Sequence, residues 1–182
     1  MTTIDQLPVL DWNGFSLYNK GGESTVFRHQ QGGIVAKTFW RRLWTDKEIL
    51  GGEELYSPQT IRYVQREAMV AEMLREAGIS VPQPKGIFAL HDPQKGSLIP
   101  PHLPAFVMEF VEGLVPPFEE ADALRKAELE KARLAGFELK DVLFNRLYRM
   151  EGNEINVCLI DFGGWEHPQL EERLNACWGP AE

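Results

Sequence analysis

The chain has 182 residues, a formal net charge of −8, and 43% hydrophobic and 25% charged residues. That length accommodates one domain with a sizeable core, and the balance excludes a wholly disordered chain, a collagen-like repeat and a disulfide scaffold. The acidic charge argues against a general nucleic-acid binder and a polybasic membrane anchor, because both draw their affinity from Lys and Arg.

The first thirteen residues read as a loose arm. Met1 to Asp5 lacks the basic-then-apolar order of a signal peptide, and no run approaches the ~18 apolar residues of a membrane span. Cys158 and Cys177 form no framework or metal spacing and fit a reducing compartment. These features together predict a soluble cytoplasmic or nuclear protein without membrane contact. Three strand-like segments follow, Phe15–Asn19, Thr25–His29 and Ile34–Trp40, rich in Val, Ile, Phe and Thr. Gly21-Gly22 and Gly32-Gly33 separate them, so they read as an antiparallel meander.

Ser57 as N-cap and Pro58 at the first helical position open a helix. Ile61, Val64, Ala68, Ala71 and Leu74 recur along it at helical spacing, and Gly78 is a natural C-cap. Two more strands are expected at Gly86–Leu90 and Ala105–Val111. The proline-rich stretch His91–Pro104 between them reads as an exposed loop. Residues 118–135 read as a charged helix with a narrow stripe of Phe118, Ala121, Leu124 and Ala132. Val142–Tyr148 and Ile155–Ile160 read as a hairpin with a longish loop, and Gln169–Ala176 as a last helix. The order implies mixed α+β, with an arm at 1–13, a sheet-rich part at 14–111 and a smaller part at 112–182.

Four local features carry chemistry. Gly21-Gly22-Glu23-Ser24 at a hairpin tip lets backbone N–H groups approach an anion, although such a pair is also a common plain turn. Lys37, in the apolar run Ile34-Val35-Ala36-Lys37, must either find a counter-charge or snorkel outward. Glu67 lies three and four residues from Val64 and Ala71, on or beside the buried stripe, where it could meet Lys37 or remain a solvated flank. Asp161, in Leu159-Ile160-Asp161-Phe162-Gly163-Gly164, ends a buried strand, where it could hold a divalent cation or merely cap a turn.

In this order the four features match the glycine-rich loop, strand lysine, helix glutamate and Asp-Phe-Gly of protein kinases. More narrowly, the chain resembles the RIO-type atypical kinases and the small kinase of the KEOPS tRNA-modification complex. The resemblance rests on Gly-Gly-Glu-Ser-Thr-Val at 21–26, on residues 66–84, on Val-Met-Glu-Phe-Val-Glu-Gly at 107–113 and on residues 159–164, with a further echo in His167-Pro168. It implies a kinase-like α+β fold, with an antiparallel five-stranded N-lobe sheet, one helix and a minimal C-lobe. It further implies ATP and Mg²⁺ as ligands. Lys37 would hold the α- and β-phosphates with Glu67 as its partner, and Asp161 would bind Mg²⁺. Gly21, Gly22 and Ser24 would cover the phosphates. Met108 would stand near the gatekeeper position, with the hinge from Glu109 to Val111.

The expected catalytic loop, residues 134–146, contains no His-x-Asp. In one alignment Asp141 is a substitute metal ligand and the base position falls on Gly136. In the other Asp141 is the base and Asn145 the metal ligand, in a loop one residue short. Glu138 is a further candidate base. Nineteen residues follow Gly163, fewer than an ordinary activation segment and substrate platform require. The implied function is therefore either an atypical Ser/Thr phosphotransferase or ATPase, or a pseudokinase acting through a protein partner. The acidic charge argues against an RNA-bound role. Residues 37–44, basic and aromatic, read as a strand end whose Trp40 and Trp44 cover the sheet or a partner.

Overall fold

The computed structural model of the chain describes residues 6–11, 13–20, 24–39, 58–91, 102–113, 118–140, 146–151 and 154–180. Strands β1 (Val9–Asp11), β2 (Phe15–Lys20), β3 (Thr25–His29) and β4 (Ile34–Thr38) precede helix α1 (Pro58–Glu76). Strands β5 (Pro84–His91) and β6 (His102–Glu109), helix α2 (Phe118–Leu134), the hairpin β7 (Arg146–Glu151) and β8 (Glu154–Leu159), and helix α3 (Leu170–Trp178) follow. The class is mixed α+β. The main sheet has the order β1-β5-β6-β4-β3-β2, and β7-β8 forms a second, two-stranded sheet.

The expected sheet of five strands has a sixth. Val9–Asp11 of the supposed loose arm pairs in parallel with Ala89–His91, and the Ala89 N–H donates to the Pro8 carbonyl at 2.9 Å. This covers the β5 backbone groups that would otherwise form an open edge. Three residues are too few to show alternation, so the strand left no pattern to read. The proline-rich loop is also shorter than expected, since β5 reaches His91 and β6 begins at His102. Pro104 fits inside β6 because β4 ends at Thr38, opposite Ala105. Its missing N–H therefore lies beyond the β4 ladder. In the hairpin, β7 runs on to Glu151 and pairs there with Glu154. The longish loop is thus a two-residue connection.

The helix α1 stripe behaves as its spacing predicts. Ile61, Val64, Ala68, Ala71 and Leu74 are all buried, and the last four share one core cluster with Val35, Phe39, Phe106 and Met108. Gly78 takes φ 74°, and the Gly78 and Ile79 N–H groups donate to the Arg75 and Leu74 carbonyls, closing the helix end. Ala36, Leu90, Ala105, Val107 and Phe15 form a smaller cluster on the other face. The hairpin is tied to the chain leaving α1, because the Leu159 N–H donates to the Ser80 carbonyl at 2.8 Å. Residues 40–57, Trp40, Trp44 and Ser57 among them, lie outside the described residues. Among the described residues, no helix is long and apolar enough to cross a membrane.

Candidate functional site

The site begins with strand periodicity. Val35, Lys37 and Phe39 alternate onto the face that α1 covers, while Ala36 joins the opposite cluster. Lys37 is therefore carried inward and cannot snorkel; it is 4% exposed. On α1, Glu67 falls between Val64 and Ala71 and is fully buried at 0% exposure. The Lys37 ammonium donates to Glu67 Oε1 at 2.6 Å and to Asp161 Oδ1 at 2.6 Å. The alternatives of an outward lysine and a solvated flank glutamate are both set aside by this contact.

Asp161 arrives from the end of the hairpin. It is a non-glycine residue with positive φ, at 63°. This conformation is uncommon outside glycine, and Asp and Asn tolerate it best. The turn after it is held by the Trp165 N–H donating to the Phe162 carbonyl at 2.9 Å. Phe162 and Trp165 are buried edge to face, and the Trp165 indole N–H donates to the Lys140 carbonyl at 2.9 Å. Gly163 lies so close to Tyr63 of α1 that a Cβ there would meet the phenol oxygen at 2.8 Å. The Asp161 side chain remains 47% exposed, on the open side of the ion pair.

The electrostatics of the triad follow from burial and from its count of charges. Burial alone would pull the Lys37 pKa down, but the charges of Glu67 and Asp161 and their hydrogen bonds outweigh it and leave it raised. For Glu67, burial pushes the carboxyl up, the Lys37 charge opposes, and the Asp161 charge adds, so its pKa is also raised. Two carboxylates share one ammonium, and the cluster carries surplus negative charge when all three are ionised.

A cavity of about 320 Å³ opens beside the triad. Val26 and Val35 of the main sheet and Leu147 and Ile160 of the hairpin line it, with Pro82 and Met108. These apolar surfaces come from two layers and suit a flat ring. Glu109, Phe110 and Val111 line it as well. That segment is fixed, since the Glu109 N–H donates to the Gln83 carbonyl and the Phe110 N–H to the Gly33 carbonyl, both at 2.9 Å. The Glu109 carboxylate accepts from the Gln83 N–H at 3.2 Å. Tyr18, Asn19 and Ser24 line the polar side together with Lys37 and Asp161. Consecutive strand residues usually face opposite ways, but the β2–β3 register shifts between Leu17 and Asn19, which lets both Tyr18 and Asn19 face the cavity.

The structure thus brings together Ser24, Lys37, Glu67, Met108, Glu109, Val111 and Asp161. Gly21, Gly22, Asp141 and Asn145 lie outside the described residues. Gly136 and Glu138 are described, and neither lines the cavity. Gly136 has φ 93° at the end of α2, and Glu138 bridges to Glu166. Leu147, Ile160 and Pro82 were not singled out from the sequence. Their apolar character was visible, but only the hairpin's placement against the sheet makes them a wall.

Among the described residues, no three His, Cys, Asp or Glu side chains form a group that could hold a metal ion. Mg²⁺ is usually held by one or two carboxylates, with phosphate oxygens and water completing its shell. The half-exposed Asp161 carboxylate, within a negatively charged cluster, fits a cation that arrives with a phosphate ligand. No protein-family model matches the chain, and no curated protein matches it in sequence.

Proposed function

We propose that the chain is an atypical kinase-like protein that binds ATP and Mg²⁺ and transfers phosphate to a hydroxyl of the serine/threonine class. The observation that carries this reading is the buried Lys37 ammonium, held at 2.6 Å by both Glu67 and Asp161 at the polar side of a cavity with apolar walls. A lysine buried with two carboxylates is costly scaffolding, because apolar residues of similar volume stabilise a core as well or better. Its position suits a different task, which is presenting one fixed positive charge to an anion.

In this reading the adenine lies between Val26 and Val35 on one side and Leu147 and Ile160 on the other, against the segment from Met108 to Val111. Lys37 binds phosphate oxygens while Glu67 keeps its ammonium in place. Asp161 holds the cation, together with Asp141 or Asn145, and Gly21, Gly22 and Ser24 close over the phosphates. Bound magnesium supplies neutralisation of charge on the phosphates. Asp141, where it acts as the base, accepts the hydroxyl proton as the substrate oxygen bonds to the γ-phosphorus and the bridging oxygen leaves with ADP.

The absence of His-x-Asp from residues 134–146 favours a second reading, a pseudokinase that binds nucleotide and acts through a protein partner. A thermal-shift titration with ATP, with and without Mg²⁺, tests the shared part. Saturation to 100 times Kd stabilises by about 2.7 kcal/mol. The shift is expected to require Mg²⁺ and to vanish in Asp161→Ala and Lys37→Met; a wild type with no shift rejects both readings. Phosphate transfer lost in Asp141→Ala supports the enzyme, and binding without turnover supports the pseudokinase.

A further inference from the structure

Another face of α1 carries a second charged cluster. Arg62 and Arg66, one helical turn apart, both reach Glu171 of α3, with Arg62 on Oε2 at 2.9 Å and Arg66 on Oε1 at 3.1 Å. Arg62 also donates to Asn175 Oδ1 at 2.7 Å and to the Gly179 carbonyl at 3.1 Å. Arg66 donates to the Trp165 carbonyl at 3.2 Å and pairs with Glu166. Leu170 and Leu174 bury the apolar side of α3 in the same core as Val64 and Ala68.

We infer that α3 is a built-in clamp on α1, and that Arg62, Arg66 and Glu171 are positioning residues for the Lys37–Glu67–Asp161 site. Arg66 precedes Glu67 in sequence, so fixing the Arg66 side chain fixes the rotation and depth of the turn that delivers Glu67 to Lys37. The same guanidinium grips Trp165 and Glu166, four and five residues beyond Asp161. One side chain therefore sets the positions of both carboxylates. Arginine suits this role because its planar fork engages several acceptors at once. Its consequence for nucleotide binding rests on the function proposed above; the geometry of the clamp does not.

The test reads Lys37 directly, on the full chain without nucleotide. Native protein is treated with an amine-acylating reagent and, separately, with a thiol reagent, and modification of Lys37 and Cys158 is followed by mass spectrometry. Cys158 is buried in β8 and outside the Arg62–Arg66–Glu171 cluster, so its labelling reports loss of the core and not a joint displacement of α1 and the hairpin. Glu171→Gln and Arg62→Gln are conservative changes at the outer cluster and should preserve the fold. Each is expected to speed Lys37 acylation by about fivefold, the equivalent of about 1 kcal/mol, with Cys158 labelling unchanged. Unchanged Lys37 labelling in both variants overturns the clamp. Equal acceleration at Lys37 and Cys158 also overturns it, since that is the signature of general destabilisation. A separate Mg²⁺-ATP titration distinguishes the two claims: faster Lys37 labelling in a protein that binds no nucleotide leaves the clamp standing and rejects the nucleotide reading.

Discussion

Helix α1 makes ion pairs on two faces, and the two obey different physics. On the inner face Glu67 meets Lys37 with both side chains buried. On the outer face Arg62 and Arg66 meet Glu171, whose side chain is 62% exposed. The inner pair is energetically severe to break and of little net benefit to keep, because both charges were desolvated to form it. The outer cluster is cheap to form, screened by salt and modest in strength. An arrangement of this kind separates two tasks on one helix. The inner face presents a charge, and the outer face decides where that charge stands.

The sharpest way to break the contrast is at the inner face. Lys37→Met leaves Glu67 buried without its ammonium and should destabilise the fold by about 3–5 kcal/mol in urea unfolding. Lys37→Met with Glu67→Leu should recover most of that stability while still failing to bind nucleotide. If the double variant is as unstable as the single one, the inner pair is structural after all. Next in size is the contact between the inner face and the Asp161 turn. Gly163→Ala places a Cβ 2.8 Å from the Tyr63 hydroxyl and should cost about 1–3 kcal/mol. Tyr63→Phe in the same chain should relieve part of this, read as a partial return of the thermal midpoint.

At the outer face, Arg66→Ala should cost about 1 kcal/mol, and the cost should shrink in high salt, unlike that of Lys37→Met. The smallest effect belongs to a partly buried cluster on α2. Hydrogen bonds from Lys126 and Arg125 hold the Asp122 carboxyl down to about 2, below its ordinary value of 3.8. A carboxyl lowered in the folded state contributes stability above its unfolded pKa and loses it as pH falls through the folded one. The stability difference between wild type and Asp122→Asn should therefore be full above pH 3.8 and fade as pH falls toward 2, followed by urea midpoints at several pH values.

The inner pair was legible in the sequence because a charge in an apolar run is a local anomaly that demands a partner. Lys37 interrupts a strand and Glu67 interrupts a helical stripe, so each could be suspected separately and then matched. The apolar positions of α1, and the Gly78 that ends it, followed from spacing in the same way. The outer cluster was not legible. Arg62, Arg66 and Glu171 are ordinary residues for exposed helix faces, and nothing within 100 residues of Arg66 announces that Glu171 will come to it. The Leu147 and Ile160 wall was hidden for a related reason, since apolar residues in a hairpin report burial and not what they face. Strand β1 escaped because its three residues carry no period.

The hydrogen bond from Leu159 to Ser80 has a mechanical consequence. Ser80 lies four residues beyond the end of α1, and Leu159 lies two before Asp161. The joint therefore couples the lever that carries Glu67 to the arm that carries Asp161. Displacing α1 drags both carboxylates along one path, so Lys37 gains or loses its two counter-charges together. A site coupled this way has few half-open states, and its occupancy should follow a single transition.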